Sequence, residues 1–164
     1  MKSFKAFLCF VLVMTMCFAF VACGKKDDGN DMVSNGSDSA NKPLEYKDGE
    51  YEAADGKYDD QGYRDVVKIV IKDGKLYSVD CDADSKNGGT KKDHSESGQY
   101  NMKAGGAKYD WHEEIAYFEN HVVNKGVESI QLKNDGKTDT VSGCTIAVKN
   151  YVKLIKEAMG KAKK

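Results

Sequence analysis

Past residue 43 the chain alternates in the way a half-buried sheet requires. In "GYRDVVKIVIKDGKLYSVDCDAD" apolar and polar positions change places on both sides of "KDGK": Val67, Ile69 and Ile71 share one face, and Val79 and Cys81 continue it. This period-two pattern predicts two strands. Asp73 and Gly74 between them supply the positive φ values of a two-residue hairpin turn, and "GEYEAAD" just upstream adds a third strand. The period then changes. In "YDWHEEIAYFENHVVNKG" Trp111, Ile115, Phe118 and Val122 recur at helical spacing, with Asp110 as N-cap, Glu113 completing a capping box and Gly126 as the stop. "VESIQLK" predicts a further strand. The C-terminal helix lines up Ile146, Val148, Val152, Ile155 and Met159 before a basic last turn that suits its dipole. Between hairpin and first helix, "SKNGGTKKDHSESG" (residues 85–98) is rich in turn formers and charge and reads as a long surface loop with a solvated His94. Strands and helices without strict alternation predict an α+β domain, a twisted and mostly antiparallel sheet with helices packed on one face.

The first 22 residues follow another logic. Lys2 and Lys5 precede an unbroken apolar stretch from Ala6 that closes on Ala22 and Cys23, the layout of a secretory signal peptide. The alternative is a membrane-spanning helix, but the stretch falls short of the ~20 residues a span needs and a polar run follows it. "FVAC" at its end resembles the lipobox of bacterial lipoproteins, with Phe20 in place of the preferred Leu; on that likeness Cys23 becomes the lipid-modified anchor, carrying palmitate or a similar chain. Residues 23–43 are Gly, Ser, Asn, Asp and Lys, too poor in apolar side chains to offset the entropy of ordering, and read as a tether. The predicted organisation is thus a signal peptide (1–22), a lipidated tether (23–43), a folded domain (44–160) and a basic tail (161–164), on the outer face of a cytoplasmic membrane.

Charge narrows the partners. The leader carries two lysines and no acids, so its removal leaves 23 basic against 26 acidic residues, a balance that recruits no nucleic acid. Arg64 is the single arginine, which also speaks against a phosphate polymer read by guanidinium forks. Of five cysteines, Cys9 and Cys17 leave with the leader and Cys23 carries lipid. Cys81 and Cys144 either pair or stay buried and reduced. His94, His112 and His121 lack the close spacing of zinc ligands.

"DTVSGCT", residues 139–145, runs straight into the C-terminal helix. Its plain reading is structural: Ser142 or Thr145 caps the helix and Gly143 makes a tight turn. Placed at a first helical turn, Thr145 also stands where free backbone N–H groups and the dipole favour a phosphate.

The same stretch resembles the Asp-x-x-Ser/Thr-Gly-Ala-Thr signature of the FMN-binding domain family, which includes the flavinylated C-type subunits of sodium-pumping NADH:quinone reductases and flavin-carrying lipoproteins of extracellular electron transfer. The likeness runs from residue 46 to 158. It includes the Asp-Gly-x-Tyr opening, the Gly-Tyr step, the hairpin, Asp-Ala, the Asn/Lys-Gly loop and the Tyr100-Asn101-Met102 step, which stands where the family has Tyr-x-x-Met. It implies covalent FMN, linked through its phosphate to Thr145 by a separate flavin transferase, with Asp139, Ser142 and Gly143 shaping the turn and its recognition. Cys144 stands where the family has Ala. The likeness further implies an electron carrier rather than an enzyme, fed by a membrane dehydrogenase or quinol and serving an external acceptor. With two unusual cysteines present, a Cys81–Cys144 disulfide and two unrelated thiols both stay open. Trp111, Tyr117, Phe118, Tyr100 and Met102 are candidates to line the flavin ring. The competing function is a cofactor-free surface lipoprotein, a binding or structural module that uses "SGCT" as a helix cap only.

Overall fold

The computed structural model describes residues 46–164, so Cys23, the leader and the tether lie outside the described residues. Three strands, β1 (Gly49–Ala54), β2 (Tyr63–Lys72) and β3 (Lys75–Ser85), form one antiparallel sheet in the order β1-β2-β3. The β2–β3 turn falls on Asp73 and Gly74, at φ 51° and 69°, as the Asp-Gly pair predicts. Asp48, just ahead of β1, pins that turn by accepting the N–H groups of Asp73 (3.0 Å) and Gly74 (2.9 Å); these bonds hold its carboxyl below the ordinary range. The register sets Val67 opposite Ala53 and Cys81, and Ile69 opposite Val79. One face of the sheet is therefore continuously apolar and buried.

Helices cover that face. Helix α1 (Lys91–Glu96) packs on β3 and on α2 (Trp111–Lys125), α2 lies against β3, and α3 (Lys149–Lys161) lies across β1 and β2. This is the expected α+β layering. All four residues of the α2 stripe, Trp111, Ile115, Phe118 and Val122, are buried. In α3 the buried face is Tyr151, Val152, Leu154, Ile155 and Ala158, while Ile146 and Met159 are only partly covered and Lys149, Lys153 and Lys156 face solvent. Among the described residues no helix is long and apolar enough to cross a membrane.

Three expectations need correction. The segment 85–98 is not all loop. Thr90 and Asp93 cap each other's backbone N–H groups and start α1, and His94 is buried, accepting the Tyr63 hydroxyl at Nδ1 (2.8 Å) and donating from Nε2 to the Gly88 carbonyl (3.1 Å). "VESIQLK" is not a strand of the sheet: Val127–Ser129 is a 3-10 turn, and Leu132 bridges to Thr138 instead. The free edge of β3 is already engaged by side chains of α2 and α1, since Glu119 accepts the Cys81 N–H and pairs with Lys92 at 2.8 Å. Nor are residues 161–164 a loose tail. Ala162 is fully buried, its carbonyl accepts the Lys47 N–H (2.8 Å), and Lys163 bridges Tyr46.

Candidate functional site

The segment between α2 and α3 carries the motif, and local bonds fold it. The Leu132–Thr138 bridge closes a small loop whose Lys133 N–H reaches the Lys137 carbonyl (2.8 Å). Thr138 donates to the Gln131 carbonyl (2.8 Å), and Thr140 accepts the Gln131 N–H (3.1 Å). Val141 to Cys144 is a four-residue turn, closed by the Cys144 N–H on the Val141 carbonyl (3.3 Å). Gly143, at φ 84°, holds the third position, where a turn of this kind needs positive φ. The turn's two ends, Val141 and Cys144, are buried in the core cluster, whereas Ser142 and Thr145 are exposed. Apolar anchors at both ends thus push the hydroxyl-bearing positions outward. Asp139 lies apart from this turn, exposed and paired with Lys133 at 3.0 Å.

Thr145 does not cap α3. That helix begins at Lys149, with Val148 as N-cap, and the N–H groups of Val148 and Lys149 both meet the Gly136 carbonyl, at 2.8 and 3.0 Å. The dipole-bound phosphate expected from the sequence is therefore replaced by a different anion, the carboxylate of Glu114. Glu114 projects from the apolar face of α2 and is 1 % exposed. Its Oε2 accepts the backbone N–H of Thr145 (2.5 Å) and of Ile146 (3.0 Å). Both carboxylate oxygens lie 3.0 Å from the Thr145 hydroxyl. Two amides and one hydroxyl satisfy this buried acid, as a buried charge requires.

One turn along α2 the site gains an aromatic wall. Tyr117 is 41 % exposed, and its ring meets that of Tyr109 edge to face, centroids 5.2 Å apart and planes at 71°. The wall is flush with the motif, because a Cβ on Gly143 would come within 2.9 Å of the Tyr117 ring and 3.6 Å of the Tyr109 ring. Lys108 sits over the Tyr109 face at 5.0 Å and, with Tyr117, holds the Tyr109 phenol below its ordinary range. Of the ring candidates named from sequence, Trp111 and Phe118 belong to the core. Tyr100 packs against the core and edge-on to Tyr63, over the Lys91 ammonium, and Met102 is partly buried. Tyr117 borders the motif turn at Gly143. Glu114 and Tyr109 were not singled out in the sequence. An acid one place after the capping Glu113, on the same stripe as Trp111, Ile115 and Phe118, was the visible signal for the first.

Cys81 and Cys144 are both buried free thiols. Burial, and then the nearby Glu114 charge, push the Cys144 thiol up to about 11. A thiol whose folded value is raised favours the fold while neutral, so its contribution is complete below the unfolded-chain value and lost as pH climbs past it toward 11. That rise corresponds to about 2–3 kcal/mol. Urea unfolding of wild type and Cys144→Ala at pH 7, 9 and 11 is expected to show wild type losing about that much relative to the variant, all of it above pH 8.5. A constant difference across the range would contradict the assignment.

Two clefts of about 480 and 500 Å³ flank Asp65, and Thr145 lines neither. Among the described residues no three His, Cys, Asp or Glu side chains are grouped to hold a metal ion.

Comparison with known proteins places the domain among solved structures. No family model and no curated protein matches the chain. A solution NMR structure of a protein from Clostridium thermocellum is 40 % identical, with a TM-score of 0.55 over 72 % of this chain and 93 % of its own. A crystal structure of a Clostridium perfringens protein has the same TM-score at 24 % identity, covering 71 % of this chain and 88 % of its own, a likeness of fold.

Proposed function

The chain belongs to the same family as the Clostridium thermocellum protein, and we propose that it is a lipid-anchored extracytoplasmic flavoprotein holding one FMN through a phosphoester to Thr145. It moves electrons from a membrane dehydrogenase or quinol to an external acceptor. One observation carries the reading: in the turn that matches the flavinylation signature, the last Thr is exposed, and its hydroxyl is held by a buried carboxylate.

The residues present fit the group. Thr145, the residue that would carry the ester, is exposed. Gly143 keeps the turn low against Tyr117, and the Tyr117 and Tyr109 rings offer apolar area beside the attachment point for a flat heteroaromatic system. Lys108 adds a cation at the rim of that wall. FMN supplies the redox chemistry when bound; the chain's part is attachment, orientation and the local field. A covalent link also has a physical reason outside the membrane, because a dissociating cofactor is lost by diffusion.

Glu114 also favours the second reading, a cofactor-free module, in one respect: it satisfies the turn's amides without any ligand. Intact mass separates the two. Protein isolated from its own cell envelope is expected to carry one FMN on the peptide containing Thr145 and lipid on Cys23. A mass with lipid alone, in cells that hold a flavin transferase, would leave the module standing and remove the carrier.

A further inference from the structure

We propose that Glu114 is the base that readies Thr145 for its own modification. The inference rests on the flavin reading above and adds a catalytic residue to it, one supplied by the acceptor itself.

The geometry is specific to the hydroxyl. If Glu114 served only to hold the backbone, the N–H groups of Thr145 and Ile146 would be enough for it. Instead both of its oxygens also lie 3.0 Å from Thr145 Oγ1, within the reach of a general base for the proton it removes. An ionised carboxylate only accepts, so the single hydroxyl hydrogen points inward at Glu114. The oxygen lone pairs are then left for an incoming electrophile. Glu114 is 1 % exposed, so water does not compete for the proton it is aimed at. A nucleophilic hydroxyl with its base in hydrogen-bond contact, and the base fixed by further donors, is the arrangement that activates serine and threonine elsewhere.

The electrophile is the flavin-bearing phosphorus of FAD, presented by the transferase. The Oγ1–P bond forms as the P–O bond of the pyrophosphate breaks. That electron pair leaves with AMP, and the hydroxyl proton passes to the Glu114 carboxylate, which holds it. No oxidant or reductant is consumed.

The test follows covalent fluorescence of the full chain on denaturing gels, over a series of chain concentrations, with FAD and a bacterial flavin transferase. Glu114→Gln keeps the shape and one acceptor oxygen but not the base. Its maximal rate of incorporation is expected to fall about 10²- to 10⁴-fold, with the half-saturating chain concentration nearly unchanged. Glu114→Asp is expected to fall in between. Thermal melts verify folding, and if the Gln variant is unfolded the Asp variant decides by the same split. Wild-type incorporation by the Gln variant, or a defect confined to half-saturation, overturns the role of Glu114 while the flavin assignment survives. A wild-type chain that takes up no flavin overturns both.

Discussion

Thr145→Val in the full chain, co-expressed with a flavin transferase, is expected to give a dark band where wild type fluoresces, with no FMN in its intact mass. Valine replaces the hydroxyl by a methyl of similar shape, so the nucleophile disappears while the backbone of the turn is retained. The amides of residues 145 and 146 keep Glu114 as their acceptor. What is lost is one hydroxyl bond to a buried carboxylate, about 1–3 kcal/mol, which a thermal melt measures. The domain has its core elsewhere, in residues such as Phe118, Ile69 and Leu154, and stays folded. Loss of flavin without loss of fold is the discriminating pair of results. Thr145→Ser, which keeps the hydroxyl, is expected to restore fluorescence. A bright Thr145→Val band would move the attachment elsewhere, with exposed Ser142 the next hydroxyl along the turn.

The sheet and α2 were legible because their signals are local and repeated. Val67, Ile69 and Ile71 alternate over five residues, Trp111 to Val122 repeats for three turns, and Asp73-Gly74 names its own turn type. Helix α1 was not, since its six residues are too few for an apolar period and its start rests on the Thr90–Asp93 exchange, which is easily lost in a charged run. "VESIQLK" has strand-like alternation, but a strand needs a partner, and nothing local reports that the β3 edge is occupied by Glu119 and Lys92. The site shows the same division. Val141 and Cys144 as inward anchors and Gly143 as a turn residue follow from residue type. The true start of α3 does not, because Thr145 is held by an acid thirty-one residues upstream. The helix-cap reading failed on that long-range contact, which also turns an isolated motif into a hydroxyl with a partner.

Gly143→Ala tests whether the turn and the aromatic wall form one device. At φ 84° an L side chain is strained, by about 1–2 kcal/mol. The new methyl would also lie 2.9 Å from Tyr117 Cδ2 and 3.0 Å from Cε2, well inside contact distance. The ring, 41 % exposed, has room to swing outward, and doing so breaks its edge-to-face pairing with Tyr109, worth about 0.5–1.5 kcal/mol. The sum, about 1.5–3.5 kcal/mol, predicts a drop in melting temperature on the order of 6–14 °C for a domain of this size. Strain and clash separate in a double-mutant cycle. In a Tyr117→Ala background the clash is absent, so Gly143→Ala there costs only the backbone part, and the two substitutions together destabilise less than their separate effects added. Strict additivity would mean that ring and turn are independent. If they are coupled, the displaced ring also shifts the surface beside Thr145, so Gly143→Ala is expected to take up flavin more slowly than wild type at a temperature where both are folded.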